Sequence, residues 1–161
     1  MGAEKMKLLI KQRVFSWTDT YDVYNEYGEV KYFVKSEFFS LGHKIHIYDS
    51  QQREVGMIQE KVLAFLPRFE VLVEGRVVGQ IEKKFSFMKP KYEIDYKNWQ
   101  VEGDFWGWNY CVIGREGSIV SITKELLHWG DTYVLDIQNL EDEISALLLV
   151  IAIDAANCSH N

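Results

Sequence analysis

The chain has 161 residues, 47% hydrophobic and 26% charged, which suits a globular protein with a single core. Its net charge of −6 excludes a general nucleic-acid binder, because that affinity comes from neutralising phosphates. Two prolines and two cysteines, Cys111 and Cys158, exclude Pro-rich linkers and a disulfide framework, so both cysteines read as ordinary thiols in a reducing cytoplasm.

The start, MGAEKMKLL, has no long apolar run, so no secretory signal is read there. Gly2 would suit myristoylation, but Met6 stands where Ser or Thr is needed. Residues 1–6 are read as a disordered lead-in to one domain spanning 1–161.

Strand signals then recur with turn residues between them. KLLIKQRVF (7–15) opens the series, and residues 20–26 turn at Tyr27-Gly28 into VKYFVKSEF. There Val30, Tyr32 and Val34 alternate with Lys31, Phe33 and Lys35, a period of two. KIHIYD (44–49) pairs with EVGMIQEK across Ser50 to Arg53, and FEVLVE (69–74) turns at Gly75-Arg76 into VVGQIEKKF. YEIDY (92–96) turns at Lys97-Asn98 into WQVEGDF, and residues 110–115 turn at Glu116-Gly117 into SIVSITKEL. TYVLDI (132–137) closes the series. The hairpins share a loose scheme of strand, polar turn and apolar strand, too degenerate for a solenoid. About a dozen strands in this spacing predict a meander closed into a barrel, because closure removes exposed edges.

The last element is a helix over residues 140–156. The segment NLEDEISALLLVIAIDAAN (139–157) has an unbroken apolar run from Ala146 to Ile153. A helix apolar all round is buried on every side, and in a strand-rich chain the wall around it is the barrel. Asn139 is the expected cap, with Glu141, Asp142 and Glu143 at the positive end of the dipole. Its apolar part, 144–156, falls short of the ~20 residues a bilayer needs.

The chemical signals are fewer. The chain contains no GxGxxG, GxxxxGK[ST], GxSxG or HExxH. His43 and His46 are three apart in a strand and point to opposite faces, so they do not share a metal. Asp131, Asp136 and Glu141 to Glu143 lack calcium-loop spacing. Asp154, inside the apolar helix, is expected to be paired or hydrogen-bonded near the barrel's end. No catalytic group assembles, and the chain reads as a non-enzyme without cofactor. The anion-binding candidate is EKKFSFMKPKYEIDYK (82–97), where Lys83, Lys84, Lys89 and Lys91, with Lys97, lie among Phe85, Phe87 and Tyr92. Such a stretch fits a lipid headgroup or another anion; a solvated hairpin end would carry the same lysines. The aromatics of GDFWGWN (103–109), including Phe105, Trp106 and Trp108, read as core or as an exposed loop.

GDTYVLDIQNLEDEISALLLVIAIDAAN resembles the close of the LURP-one-related (LOR) family, and YDSQQREVGMIQEK and FEVLVEGRVVGQIEKK fit it upstream. That family is kin to the tubby C-terminal domain and the phospholipid scramblases. The resemblance implies a twelve-stranded barrel around a hydrophobic helix. It implies a cytoplasmic binding module at the membrane periphery, with anionic phospholipid or protein partners. The alternatives are a scramblase-like lipid-moving protein and a scaffold without small ligand. Tubby's basic site has no residue-by-residue match here, and Asp131 and Asp136 match the scramblase calcium segment weakly.

Overall fold

The computed structural model describes residues 4–11, 20–39, 42–84, 91–95, 97–104, 107–127 and 130–158. Every strand signal becomes a strand: β1 (Met6–Lys11), β2 (Thr20–Asn25), β3 (Val30–Phe39), β4 (Gly42–Asp49), β5 (Glu54–Glu60), β6 (Arg68–Val73), β7 (Arg76–Lys84), β8 (Lys91–Ile94), β9 (Gln100–Asp104), β10 (Asn109–Gly114), β11 (Gly117–Leu127) and β12 (Gly130–Ile137). They form one antiparallel sheet in the order β8-β7-β6-β5-β4-β3-β2-β1-β12-β11-β10-β9. Each pairing joins chain neighbours except β1 with β12, where Met6 opposes Ile137 and Lys11 opposes Thr132.

Alternation decides which face is core. Val34, Ile45, Ile47, Ile58, Val71 and Ile81 are buried, while their neighbours in sequence face out. The inner faces wrap α1 (Glu143–Cys158), in which Ala146 through Ile153 are all buried. With no polar face to turn to water, the helix is stable only inside this wall. Gly56 of β5 makes room for it: a Cβ there would stand 3.0 Å from Leu148 Cδ1.

The helix start differs from the sequence expectation. A 3-10 turn, Leu140–Asp142, precedes α1, and the Asn139 side chain makes no capping bond. Instead Asp142 N–H donates to the Asn139 carbonyl. The acidic residues are held by cations as well as by the dipole. Glu143 meets Lys31 Nζ at 2.7 Å and accepts from Tyr32 Oη at 2.7 Å. Asp142 meets Lys97 Nζ at 3.4 Å.

The β6–β7 hairpin turns at Glu74-Gly75, one residue before the expected pair. Both have positive φ, 49° and 75°, the twist-matched conformation of a two-residue hairpin. Gly103 in β9 has φ +126°, and a Cβ there would lie 2.6 Å from Tyr110 Cα in the facing strand. Gly103→Ala is expected to lower stability by about 3 kcal/mol; an unchanged thermal melting curve would refute that close approach.

In this meander β1, β3, β5, β7, β9 and β11 all run toward one rim, here the upper. The helix follows β12 from the lower rim, beside Lys31, and ends at the upper rim, where Tyr92 Oη donates to Asn157 Oδ1 at 2.8 Å. The barrel is nearly closed. Although β8 and β9 follow each other in sequence, no ladder joins them. Asp95 folds back on β7 instead, its N–H donating to the Gln80 carbonyl and its carboxylate accepting from Gln80 N–H. The Lys97-Asn98 turn therefore crosses a seam rather than closing a hairpin.

Candidate functional site

The seam creates a groove. Residues along β8 and the start of β9 line a cavity of about 430 Å³, with Lys84, Lys91 and Lys97 as its cations and Glu93 as its one carboxylate. Register explains the grouping. Lys84 opposes Lys91 and Glu82 opposes Glu93 across β7–β8, so these four share the outer face. Lys97 follows at the lower end, with Nζ 5.1 Å from the centre of the Trp99 ring. Trp99 is buried and gives the groove an apolar floor.

The same register separates Lys83 from its neighbours. It opposes Tyr92, whose side chain is buried, and shares the parity of Ile81. Lys83 is thus on the inner face at the upper rim, and burial lowers its pKa. Lys89, Phe85 and Phe87 lie outside the described residues, as do Phe105 and Trp106. Of the four lysines expected to form one patch, Lys84 and Lys91 line the groove together.

Their electrostatics differ. Lys84 Nζ lies 2.9 Å from Glu82 and 3.2 Å from Glu93, and these hydrogen bonds, Glu82 first, hold its ammonium above the usual lysine range. Glu93 is 65% exposed, so its hold is easily exchanged. Lys91 is exposed. An anion entering the groove would meet Lys91 directly and compete with Glu93 for Lys84.

Two other cavities are less cationic. One of about 560 Å³ opens along β3 and β4 beside Lys31, Lys35 and Asp49, but Lys31 is held by Glu143 and Lys35 by Glu37. The other, about 650 Å³, lies at the lower rim among Arg115, Glu116, Glu141 and Asp142, where carboxylates predominate.

His43 and His46 each meet their own carboxylates. His43 pairs with Glu60 at 2.7 Å, and His46 lies between Glu37 and Glu54 at 3.2 and 2.7 Å. Among the described residues no group of three or more His, Cys, Asp or Glu could hold a metal ion.

Asp154 departs from expectation. It is buried, and its Oδ2 has no hydrogen-bond partner among the described residues. Burial pushes its pKa up to about 8, so the carboxyl stays protonated rather than paired. It lies close enough to Tyr21, Tyr92 and Tyr110 to add to the upward shift that burial gives each phenol. A protonated acid among phenols satisfies the rule that an unpaired buried charge neutralises itself.

A nearly closed twelve-strand barrel filled by its own C-terminal helix defines a tubby-like barrel protein. The chain belongs to the LURP-one-related (LOR) family, whose profile matches residues 6–154. It is 33% identical over 149 residues to the uncharacterised protein YxjI of Bacillus subtilis strain 168, covering 92% of each chain. Its fold is similar to that of an Arabidopsis thaliana protein solved by X-ray crystallography, with a TM-score of 0.67 at 14% identity over 96% of this chain and 93% of that one.

Proposed function

We propose that this protein is a non-enzymatic, cytoplasmic binding module that takes a phosphate-bearing headgroup in the seam groove, at the periphery of an anionic membrane. The observation that carries the reading is the cross-strand pair Lys84 and Lys91 at the mouth of a cavity of about 430 Å³. Lys97 adds a cation at the lower end and Trp99 an apolar wall. Lys91 has no ion pair among the described residues and is the cation an anion meets first, while Lys84 and Lys97 can exchange their partners Glu93 and Asp142 for it. The described residues that line the groove, lysines, one carboxylate and Trp99 among them, offer charge and apolar surface, and the chemistry proposed for them is binding. Among the described residues no helix is long and apolar enough to cross a membrane, and contact with the bilayer is assigned to the surface.

Glycerophosphoserine, a soluble headgroup, tests the groove without a bilayer. The double variant Lys84→Glu/Lys91→Glu is expected to weaken its binding about tenfold or more, and to melt cooperatively but lower, because it sets four carboxylates on one face. Equal binding by wild type and variant in isothermal titration would refute the groove. Protein-partner binding with no headgroup affinity in the wild type would favour the scaffold alternative.

A further inference from the structure

The β5–β6 connection, residues 61–67, reads KVLAFLP. Val62, Leu63 and Phe65 are 51%, 101% and 90% exposed. Single exposed apolar residues are ordinary, but three within four positions form a cluster that water disfavours. The loop is also pinned. Lys61 N–H donates to the Arg68 carbonyl at 2.9 Å, Ala64 N–H to the Lys61 carbonyl at 3.2 Å, and Lys83 N–H to the Pro67 carbonyl at 2.9 Å. These bonds tie the loop's backbone to both ends of the hairpin and to β7.

The loop stands at the upper rim, beside the ends of β6 and β7. Leu126, 82% exposed, lies near the same rim at the end of β11. Strand order places it on the opposite wall, six strands from β5. A plane laid across the rim would therefore meet apolar side chains on both sides. Lys61, Arg68, Lys84 and Lys91 stand at this rim with Glu70, Glu82 and Glu93, the first three in ion pairs with them and Lys91 exposed, in a chain of net charge −6. Apolar side chains at a loop tip with cations behind them match an anionic bilayer in both layers: hydrocarbon for the tip, phosphate for the cations. A folded protein partner would instead call for a broad, well-packed apolar patch, and the exposed cluster here is three side chains of one loop.

We infer that the 61–67 loop is a membrane-insertion element: Val62, Leu63 and Phe65 enter the apolar edge of an anionic bilayer while Arg68, Lys84 and Lys91 sit at headgroup level. The barrel then stands on its upper rim, with the mouth of the seam groove turned toward the lipid. The inference shares Lys84 and Lys91 with the headgroup reading and rests on it for them, but the loop contributes independently of the groove.

The experiment is sedimentation with phosphatidylcholine vesicles with and without phosphatidylserine, at low and physiological salt, using the full chain. Leu63→Ser/Phe65→Ser is expected to weaken binding to the mixed vesicles by about tenfold to a hundredfold. What binding is left should be strongly salt-sensitive, because only the cations remain. Binding of glycerophosphoserine should be unchanged and the variant should still melt cooperatively, since both positions are largely exposed. Vesicle binding by the double variant equal to that of wild type overturns the insertion element, as does wild-type protein that takes glycerophosphoserine but ignores vesicles. Loss of glycerophosphoserine binding in Lys84→Glu/Lys91→Glu, with the loop variant intact on that probe, keeps the two readings separate.

Discussion

Leu149→Asp is expected to leave no cooperatively melting protein in the soluble fraction. Leu149 is fully buried at the centre of α1, with barrel wall on every side. Truncating such a leucine alone costs about 2–5 kcal/mol. An aspartate adds a polar group with nowhere to find a partner, at a further cost of several kcal/mol whether it ionises or stays protonated. Together these approach the whole of a domain's stability, roughly 5–15 kcal/mol. Leu149→Met keeps volume and polarity and is the matched control, expected to fold and to lose less than about 1.5 kcal/mol. Circular dichroism on soluble material decides it: a cooperative melt for the aspartate variant would refute the helix as the indispensable filling of the barrel.

The helix already carries one carboxyl, and its position makes the second large effect a matter of pH. Asp154 has a folded-state pKa of about 8 against 3.8 in the unfolded chain. Between these values the unfolded chain has released a proton that the folded protein keeps, so stability falls as pH rises through that window. The full penalty is in place near pH 8, where the folded protein begins to ionise too. It is on the order of 5 kcal/mol. Asp154→Asn removes the titration and keeps the shape. It is expected to be several kcal/mol more stable than wild type near pH 8, with the difference closing toward pH 4. The half-buried carboxylates held low by their partners, Glu37, Asp49 and Glu82, give the opposite slope in acid and are common to both proteins. Urea denaturation across this range tests it, and parallel stability curves for the two proteins would show that Asp154 is not held neutral.

The fold was legible because its elements are locally coded. Alternation in Val30, Tyr32 and Val34 needs only neighbours to be read, and a helix apolar from Ala146 to Ile153 implies its own enclosure. The seam was not legible. YEIDY and WQVEGDF look like any other hairpin, but β8 stays on β7, with Asp95 extending that ladder to Gln80, and β9 pairs with β10. The lysine stretch was half legible: composition marks it, but strand parity sends Lys83 inward and Lys84 outward, and parity depends on where the strand begins. Asn139 looked like a cap because its residue type favours one, while the chain satisfies that helix start through a 3-10 turn. The 62–66 run was least legible of all. Five apolar residues in a row look like strand interior, and the exposure of Val62, Leu63 and Phe65 follows from where β5 and β6 end.

The single pairing between distant parts of the chain, β1 with β12, and the position of α1 after all twelve strands together set an order of assembly. On the ribosome, hairpins from β1 to β11 emerge before the strand that joins the two halves of the sheet and before the helix that fills them. Until then their inner faces have no core to cover, and the chain is a series of sticky ribbons of the kind that aggregate or recruit chaperones. Closure spans more than a hundred residues, so the decisive step is a late, non-local and slow one. Native structure in this barrel is therefore completed only once α1, the last of its elements in chain order, has emerged.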